Sequence, residues 1–363
     1  MSAADLLSTG RIIKCVVWDL DNTLWQGVAV EDPNGAVPSP DQSILDIMSE
    51  LEKRGIVNSV ASRNDPVMLE RLLADPVLHG KFIVPQVSWD PKSTSIRKIA
   101  AHLNIGLDAL AFVDDSAFER AEVSYMLPEV VVLAPEEMAA AIGTLAFNPG
   151  QLTAEGERRA EMYRHEEQRK EAEAGFAGTR ADFLRWCDMR LTITPATEAD
   201  LPRIIELTER THQLNSTGRR YSADEVKERV GAPRWLVPVA RLRDRFGDYG
   251  TIGAAIVDTQ APWPPDVWLA EIVMLSCRVE GRGIPAALLR WIMGRAQDAG
   301  MKSLRAVYRV NEQNLPVRLL FKQMGFTKLA GDDFVTVARD LSQPLPAYPD
   351  WLHISTPEAS VTG

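Results

Sequence analysis

Cysteine is scarce in this chain of 363 residues, which has only Cys15, Cys187 and Cys277. An odd number of widely spaced cysteines excludes a disulfide framework and a thiol-based zinc cluster. Long apolar runs are also absent: no stretch approaches the roughly 18 apolar residues of a membrane-spanning helix. Residues 1–11 lack the basic, apolar and small-residue order of a signal peptide. These absences predict a cytoplasmic protein that has no membrane partner.

An excess of positive charge is missing as well. The chain has 40 Lys and Arg against 50 Asp and Glu, a formal net charge of −10. Nucleic-acid binding needs a basic face, so this balance predicts no nucleic-acid partner. An apolar content of 45% and a charged content of 25% are those of a globular protein. The length allows about two domains, each with its own core.

Two carboxylates follow the first apolar run. Residues 14–18 have the pattern of a buried strand, and Asp19 and Asp21 follow at its carboxyl end, where open α/β sheets bind ligands. Acids at i and i+2 repel each other unless a cation lies between them, and Mg²⁺ prefers such oxygen ligands. Asp19 can attack phosphorus as a nucleophile, and Asp21 can move the proton. A solvated acidic turn is the alternative for an isolated Asp-x-Asp pair.

Three further features follow in an order that favours phosphoryl transfer. Ser62 comes after the apolar run 56–60, Lys92 opens a helical pattern, and Asp114 and Asp115 end a third strand. The serine can donate to a phosphoryl oxygen, and the lysine supplies a point charge. The four features together resemble the motifs of the haloacid-dehalogenase (HAD) superfamily. We predict catalytic roles for Asp19, Asp21, Ser62 and Lys92, metal ligation by Asp19, Asp21, Asp114 and Asp115, and phosphate binding by Asn22, Thr23, Arg63 and Asn64.

Alternating strand and helix patterns over 12–145 predict a parallel, doubly wound sheet. Strands are expected at 12–18, 56–61, 82–87, 109–113 and 130–133, and helices at 42–54, 67–74 and 93–103. The irregular stretch 25–40 is expected to form a flap beside Asp19. Trp25 and Trp89 can either line that pocket or pack in the core.

Pro149-Gly150 marks a break, after which charges of both signs over 153–174 predict a solvated connecting helix. We therefore expect an N-terminal domain at 1–148, a helical linker at 149–187, a second domain at 188–345 and a C-terminal tail at 346–363. The predicted fold class is α/β, with a Rossmann-like first domain and an α+β second domain.

The second domain contains a strand, then Arg278-x-x-Gly281-x-Gly283, then a helix. Such a loop offers backbone N–H groups and a helix N-terminus to a phosphate, although isolated glycines more often form only a turn. A later strand leads to Asn311, Asn314 and another helix. This succession resembles the Gcn-five-related N-acetyltransferase (GNAT) fold. The resemblance implies pantetheine binding by Arg278, Gly281, Arg282 and Gly283.

Across nearly its whole length the chain resembles the FkbH-like glyceryltransferase/phosphatase family of polyketide and mixed peptide–polyketide pathways. The blocks that carry the resemblance are VWDLDNTLW (17–25), NIGLD (104–108), FVDDS (112–116), EMYR (161–164), THQLN (211–215), RRY (219–221), RDRFGD (243–248) and SCRVEGRG (276–283).

The resemblance implies that 1,3-bisphosphoglycerate, or a related small phosphorylated acid, is dephosphorylated in the presence of Mg²⁺. The glyceryl group would pass to the phosphopantetheine thiol of an acyl carrier protein. In the family a cysteine usually precedes the motif-two serine, whereas this chain has Ala61, so a covalent intermediate on that residue is impossible here. Ser116 also replaces an expected asparagine.

The role of Cys277 stays open: it is either a functional thiol or a buried core cysteine. Three readings of the enzyme also stay open. It is a carrier-loading transferase, a plain phosphatase whose second domain binds a carrier, or an N-acetyltransferase fused to a vestigial phosphatase. An acidic carrier would need a local basic patch, for which Arg219 with Arg220, or Arg241 with Arg243 and Arg245, are candidates beside a solvated surface. No catalytic role is assigned to His102, His165 or His212.

Overall fold

The structure is a computed structural model that describes residues 3–8, 10–29, 37–148, 153–211, 213–260, 264–310 and 314–357. The chain forms two compact units, 1–164 and 165–363. This division differs from the predicted boundaries, which set residues 149–187 apart as a linker. Pro149, Gly150, His212, Asn311 and much of the expected flap (30–36) lie outside the described residues.

The first unit alternates strands and helices. Its strands are β1 (Cys15–Trp18), β2 (Val57–Ser62), β3 (Gln86–Val87), β4 (Leu110–Val113) and β5 (Val131–Leu133). Its helices are α1 (Ala3–Leu7), α2 (Gln42–Lys53), α3 (Val67–Ala74), α4 (Lys92–Leu103), α5 (Ala117–Met126), α6 (Met138–Ala141) and α7 (Ala154–Glu157). Helix α8 (Arg159–Ala174) includes the residues at which the two units are divided.

All four strand pairs of this sheet are parallel, in the order β3-β2-β1-β4-β5. Strand β1 is central and wholly buried, because Val16 and Trp18 face one apolar cluster while Cys15 and Val17 face another. A parallel sheet covered on both faces needs such continuously apolar strands. The topology confirms the predicted Rossmann-like unit and places the carboxyl ends of β1, β2 and β4 at one edge.

Local signals define several of the helices. Asp41 caps α2 by accepting a hydrogen bond from the Ser43 N–H, and the apolar face of α2 is buried. Helix α4 is capped at its C-terminus by Asn104, whose φ of 52° is in the left-handed region that suits a helix end. Most of the predicted strand 82–87 is irregular: Phe82 forms an isolated bridge with Asn58 of β2, and Gln86–Val87 forms the short strand that pairs with the end of β2.

The second unit is built on a mixed sheet. Its strands are β6 (Met189–Pro195), β7 (Trp235–Leu236), β8 (Pro238–Arg243), β9 (Asp248–Asp258), β10 (Val267–Leu275), β11 (Ser303–Arg309), β12 (Thr327–Ala330), β13 (Phe334–Asp340) and β14 (Leu352–Ser355). Its further helices are α9 (Arg180–Trp186), α10 (Leu201–Arg210), α11 (Ala223–Lys227), α12 (Ile284–Asp298) and α13 (Leu315–Gln323).

The strand order is β12-β13-β11-β10-β9-β8-β6-β14, with β7 also paired to β9. The β10–β11 and β14–β6 pairs are parallel, and the other pairs are antiparallel. This mixed sheet, with α12 packed on the same apolar core, confirms the predicted α+β unit. The expected tail 346–363 is different, since β14 extends the sheet beside β6.

The charged segment 153–174, for which we predicted a solvated connecting helix, is partly buried. Glu166 and Arg169 are buried, and Arg169 pairs with Glu166 at 2.6 Å. Phe183 and Leu184 of α9 lie in the core of the second unit. The sequence pattern fails here because every second or third residue is charged, which conceals the face that packs. Among the described residues, no helix combines the length and apolar character needed to cross a membrane.

Candidate active site

The ends of three parallel strands bring the predicted motifs together. Strand β1 is paired in register with β4, and the Asp19 N–H donates to the Val113 carbonyl at 2.9 Å. Asp19 and Asp114 therefore follow neighbouring strands at the same edge of the sheet. Ser62 ends β2 on the other side of β1 and is buried. The chain thus places two acids and a hydroxyl group at the ends of neighbouring strands, at one edge of the sheet.

Lys92 joins the two acids. Its Nζ lies 2.6 Å from Asp19 Oδ1 and 2.5 Å from Asp114 Oδ2. All three side chains are less than a tenth exposed. Lys92 is the first residue of α4, and Ser93 is held by the Glu122 carboxylate, which accepts from its backbone N–H at 3.2 Å. A buried charge is tolerated only with such partners, so this triad is a strongly coupled electrostatic centre.

Burial and neighbouring charges shift the ionisation of the triad. Burial raises the pKa of Asp19 to about 6, with a further increase from Asp114 and a decrease from Lys92. Burial alone would lower the pKa of Lys92, but the two carboxylates outweigh it and raise that pKa. Burial and the Asp114 charge also raise the pKa of Asp115. The lysine therefore stays a cation while the acids compete for protons or for a further positive charge.

Asp19, Asp114 and Asp115 form a possible metal site. One carboxylate oxygen from each residue lies within 4.8 Å of the others. Three hard oxygen donors, two of them buried, fit Mg²⁺ better than a softer metal that prefers nitrogen or sulfur. These three residues would hold the ion.

Asp21 lies outside this group, unlike its predicted place among the metal ligands. Its Oδ1 accepts hydrogen bonds from Trp25 Nε1 and the Ala29 N–H, both at 2.9 Å. Its Oδ2 accepts from Asn64 Nδ2 at 3.0 Å. These three donors occupy both oxygens of the Asp21 carboxylate, which is not among the carboxylates that converge at the candidate metal site.

The remaining predicted residues take different positions. The Thr23 Oγ1 accepts from the Asp115 N–H at 3.0 Å and so positions a metal-site residue. Asn22, with φ of 56°, accepts from the Gly27 N–H and shapes the turn after Asp21. Arg63 donates to Glu119 at 3.0 Å and is partly exposed. Phosphate contacts by Asn22, Thr23, Arg63 and Asn64 stay predictions.

Sequence reasoning missed the groups that orient Asp21 and Lys92. Trp25 is completely buried and donates to Asp21, whereas Trp89 is 61% exposed. The four-residue spacing between Asp21 and Trp25 was a usable signal, because such a turn brings the two side chains together. Glu122, which holds Ser93 beside Lys92, had no local signal, since Ser93 and Glu122 are 29 residues apart.

In the second unit, the predicted pantetheine residue Arg282 is turned inward. It is 1% exposed and pairs with Glu166, while its Nη1 lies 3.6 Å from Asp244 Oδ2. Its guanidinium also lies 5.1 Å from the centre of the Tyr249 ring. A side chain held in this way cannot bind a phosphate at the surface, which corrects the role expected for it.

The two glycines of the loop before α12 are explained by the backbone conformation and the close packing of the loop. Gly281 and Gly283 have φ of 73° and 82°, which favours glycine. A Cβ on Gly283 would lie 2.8 Å from Pro349 Cγ, and one on Gly281 would lie 2.7 Å from an Arg180 nitrogen. Arg278 and Cys277 remain partly accessible. Pantetheine binding by this loop stays a prediction.

No family model matches the chain, and no curated protein matches it. Solved structures do match. The N-terminal part of protein BF1531 from Bacteroides fragilis, which contains a phosphatase domain complexed with Mg, is 29% identical over 38% of this chain, with a TM-score of 0.33. The match spans 41% of that protein's chain, less than half of its length.

N-acetyltransferases match too. The ribosomal-protein-S18-alanine N-acetyltransferase from Escherichia coli is 17% identical, with 42% of this chain and 96% of that chain covered and a TM-score of 0.33. An N-acetyltransferase from Staphylococcus aureus Mu50 is 19% identical, with 42% and 98% covered and a TM-score of 0.32. The chain is therefore similar to a phosphatase domain and to N-acetyltransferases. The roles assigned below rest on its own side chains.

Proposed function

We propose that the chain is a Mg²⁺-dependent phosphatase that also transfers an acyl group to the thiol of an acyl carrier protein. The observation that carries the phosphatase half is the buried Asp19–Lys92–Asp114 triad, with Asp115 beside it at the carboxyl edge of a parallel sheet. This arrangement provides a nucleophile, a fixed cation and a place for a metal ion around one reacting phosphoryl group.

In this proposal Asp19 attacks the phosphorus of a phosphate ester, and the bond from phosphorus to the leaving oxygen breaks. Asp21 gives its proton to that oxygen. Water then attacks the phosphorus of the aspartyl phosphate and loses a proton to Asp21, so that phosphate leaves and Asp19 is restored. Lys92 offsets negative charge on Asp19 and the phosphoryl oxygens, and Ser62 donates a hydrogen bond to one of them.

Asp19, Asp114 and Asp115 would hold the ion. When bound, Mg²⁺ would offset phosphoryl charge and so favour the approach of an anionic nucleophile. The need for that extra charge follows from the chain itself, because a single lysine pairs with two of three clustered acids.

The transfer half rests on the resemblance to FkbH-like proteins and on the partly accessible Arg278 before α12. With 1,3-bisphosphoglycerate the carrier thiol would attack the acyl carbon. A carbon–sulfur bond would form, the carbon–oxygen bond to phosphate would break, and the thiol proton would pass to solvent. The Asp19 centre would remove the remaining phosphate, leaving a glyceryl thioester in a polyketide or nonribosomal peptide pathway.

Intact mass of carrier proteins tests both halves. The full chain is incubated with Mg²⁺, freshly generated 1,3-bisphosphoglycerate and phosphopantetheinylated carriers. The wild type should add one glyceryl group to a carrier, and Asp19→Asn should leave a phosphoglyceryl group. Asp46→Asn, in an exposed acid on α2, serves as the matched control and should behave as the wild type. If no carrier gains mass although the phosphate ester of 1,3-bisphosphoglycerate is hydrolysed, the transfer half of the proposal is contradicted.

A second candidate is a plain phosphatase acting on another phosphorylated substrate, with a second unit that only binds a carrier. The buried Arg282 and the residue Ala61, where a cysteine was expected, favour it. Free phosphate without any carrier adduct, across several phosphorylated acids, would be its signature. A Cys277→Ala variant that still loads a carrier would remove that thiol from either account.

A further inference from the structure

A cavity of about 650 Å³ lies beside the C-terminal half of α12 in the second unit. One wall is formed by α12, through Arg290, Trp291 and Arg295, and another by the chain after β13, through Tyr348. The Arg278–Gly283 loop precedes the other end of the same helix, so this cavity is a separate place. Its volume is typical of a site for a small organic molecule.

The segment that follows β13 is held against α12 at two points. Arg290 Nε donates to the Pro346 carbonyl at 2.8 Å, and Trp351 Nε1 donates to the Arg282 carbonyl at 2.9 Å, just before the helix begins. The chain then continues as β14, which pairs with β6. The second wall of the cavity is therefore an integral part of the fold.

A glycine within α12 makes room for the Arg290 guanidinium. Gly294 lies one turn after Arg290 in the interior of the helix, where glycine is less favourable than alanine. A Cβ on Gly294 would lie 2.9 Å from Arg290 Nη1. The guanidinium also lies 5.1 Å from the centre of the Tyr348 ring. The glycine thus keeps a cation and an aromatic ring together on the cavity walls.

The cations of this cavity outnumber its acids. Arg290 and Arg295 line it together with a single carboxylate, that of Asp298. Within the part of the chain that the structure describes, neither arginine forms an ion pair. Arg290 binds the Pro346 carbonyl through Nε, which leaves its terminal nitrogens for another acceptor. This balance favours an anionic ligand.

Aromatic and aliphatic side chains form much of the remaining lining. Trp291 and Tyr348 contribute rings, and the Arg295 guanidinium lies 5.9 Å from the centre of the Trp291 ring. Leu236 and Ile354 contribute aliphatic surface. Burial raises the pKa of Tyr348, so its hydroxyl group stays protonated at neutral pH. Guanidinium groups stack on aromatic rings, so this lining suits a ligand that has a flat apolar ring.

We propose that this cavity binds a small aromatic carboxylate. The carboxylate contacts Arg290 and Arg295, and the ring packs against Tyr348 and the aliphatic side chains. The site uses no residue of the Asp19 centre, goes beyond the proposed function and does not depend on it.

Calorimetric titration of the full chain with 3-phenylpropionate, 3-phenylpropanol and propionate tests the site. The first has a ring and a carboxylate, the second has only the ring, and the third has only the carboxylate. We expect 3-phenylpropionate to bind at least about tenfold more tightly than either of the others, because only it uses both kinds of contact. Equal affinity for all three, or no binding of any, overturns the proposal.

Variants locate the binding. Arg290→Ala should weaken the binding of 3-phenylpropionate at least about tenfold, because a charged donor is lost. Gly294→Ala should also weaken it, since the added methyl group displaces the Arg290 guanidinium, while alanine favours the helix and so preserves the fold. Arg318→Ala, in an exposed arginine of α13, and Asp19→Asn should leave the affinity unchanged.

The unfolding temperature of each variant verifies that it is folded. Unchanged binding in Arg290→Ala, or in Gly294→Ala if Arg290→Ala does not fold, overturns the proposal. Loss of binding in Asp19→Asn places the ligand at the other centre and overturns it as well.

Discussion

The chemistry of the first unit depends on a small group of buried charges around Asp19. One lysine contacts two buried acids, and a third acid lies beside them. In water such groups would be screened, but burial strengthens their interaction and makes any missing partner costly. Single substitutions within this group of charges are therefore expected to have large effects.

We predict that Lys92→Met destabilises the metal-free protein by about 3–5 kcal/mol, because it leaves Asp19 and Asp114 buried without their cation. Denaturant unfolding in the presence of a chelator measures this loss. Lys98→Met is the matched control in the same helix: its Nζ pairs with Asp90 at 2.8 Å, but the lysine side chain is 52% exposed. It should cost less than about 1 kcal/mol, and an equal loss in the two variants contradicts the prediction.

We also predict that Mg²⁺ affinity falls below pH 6. The pKa of Asp19 is raised to about 6, so at lower pH a proton neutralises this ligand and competes with the ion. Apparent affinity should drop about tenfold per pH unit below 6 and level off above it. Titration with MgCl₂, followed by the shift of the unfolding temperature at pH 5, 6 and 7, measures it. Equal affinity at pH 5 and 7 argues against a role of Asp19 as ligand.

At the scale of single elements, the loop after β4 connects a metal-site residue to a helix. Ser116 caps α5 by accepting from the Glu119 N–H at 3.4 Å, and its own N–H donates to Asp114 Oδ1 at 2.8 Å. The serine that replaces the expected asparagine thus has a role that asparagine can also fill, because both residues are good N-caps.

We therefore predict that Ser116→Ala lowers the free energy of unfolding by about 1 kcal/mol, whereas Ser116→Asn changes it by only a few tenths. Urea denaturation of the two variants measures the difference. The backbone bond to Asp114 survives in each, so phosphate release should stay close to that of the wild type. A greater loss in Ser116→Asn than in Ser116→Ala would show that the cap does not explain this position.

Elements with a clear local pattern were predictable from the sequence. The apolar run of β1 and the acids that follow it identify the sheet edge, and helix α3 has the predicted bounds of 67–74. The cavity beside α12 could not be found in this way, because Arg290 and Pro346, whose carbonyl it binds, are 56 residues apart. Arg282 was misassigned because its partner Glu166 is 116 residues away.

At the scale of the whole molecule, each of the two units buries a group of charged side chains. The second unit buries a cluster of charges in which Glu166 contacts both Arg169 and Arg282. Removal of one member of a buried ion pair leaves its partner uncompensated. The stability of this unit therefore depends on a charged group that the sequence pattern had indicated as solvated.

Glu166→Gln should lower the stability of the second unit by about 3–5 kcal/mol, since two buried arginines lose the carboxylate that they share. Differential scanning calorimetry measures this loss as a decrease in the temperature of one unfolding transition. Glu171→Gln, in an exposed residue of the same helix, should change it by less than about 0.5 kcal/mol. Equal transition temperatures for the two variants would contradict a stabilising role of the buried cluster.

The central claim is that Asp19 accepts a phosphoryl group from the substrate. Acid-quenched intact-mass analysis of the full chain during turnover, followed by peptide mapping, tests it most directly. We predict one added phosphoryl group on the peptide that contains Asp19 in the wild type, and none in Asp19→Asn, which should release no phosphate. Undiminished phosphate release by Asp19→Asn, or a phosphoryl group on another residue, would contradict the account.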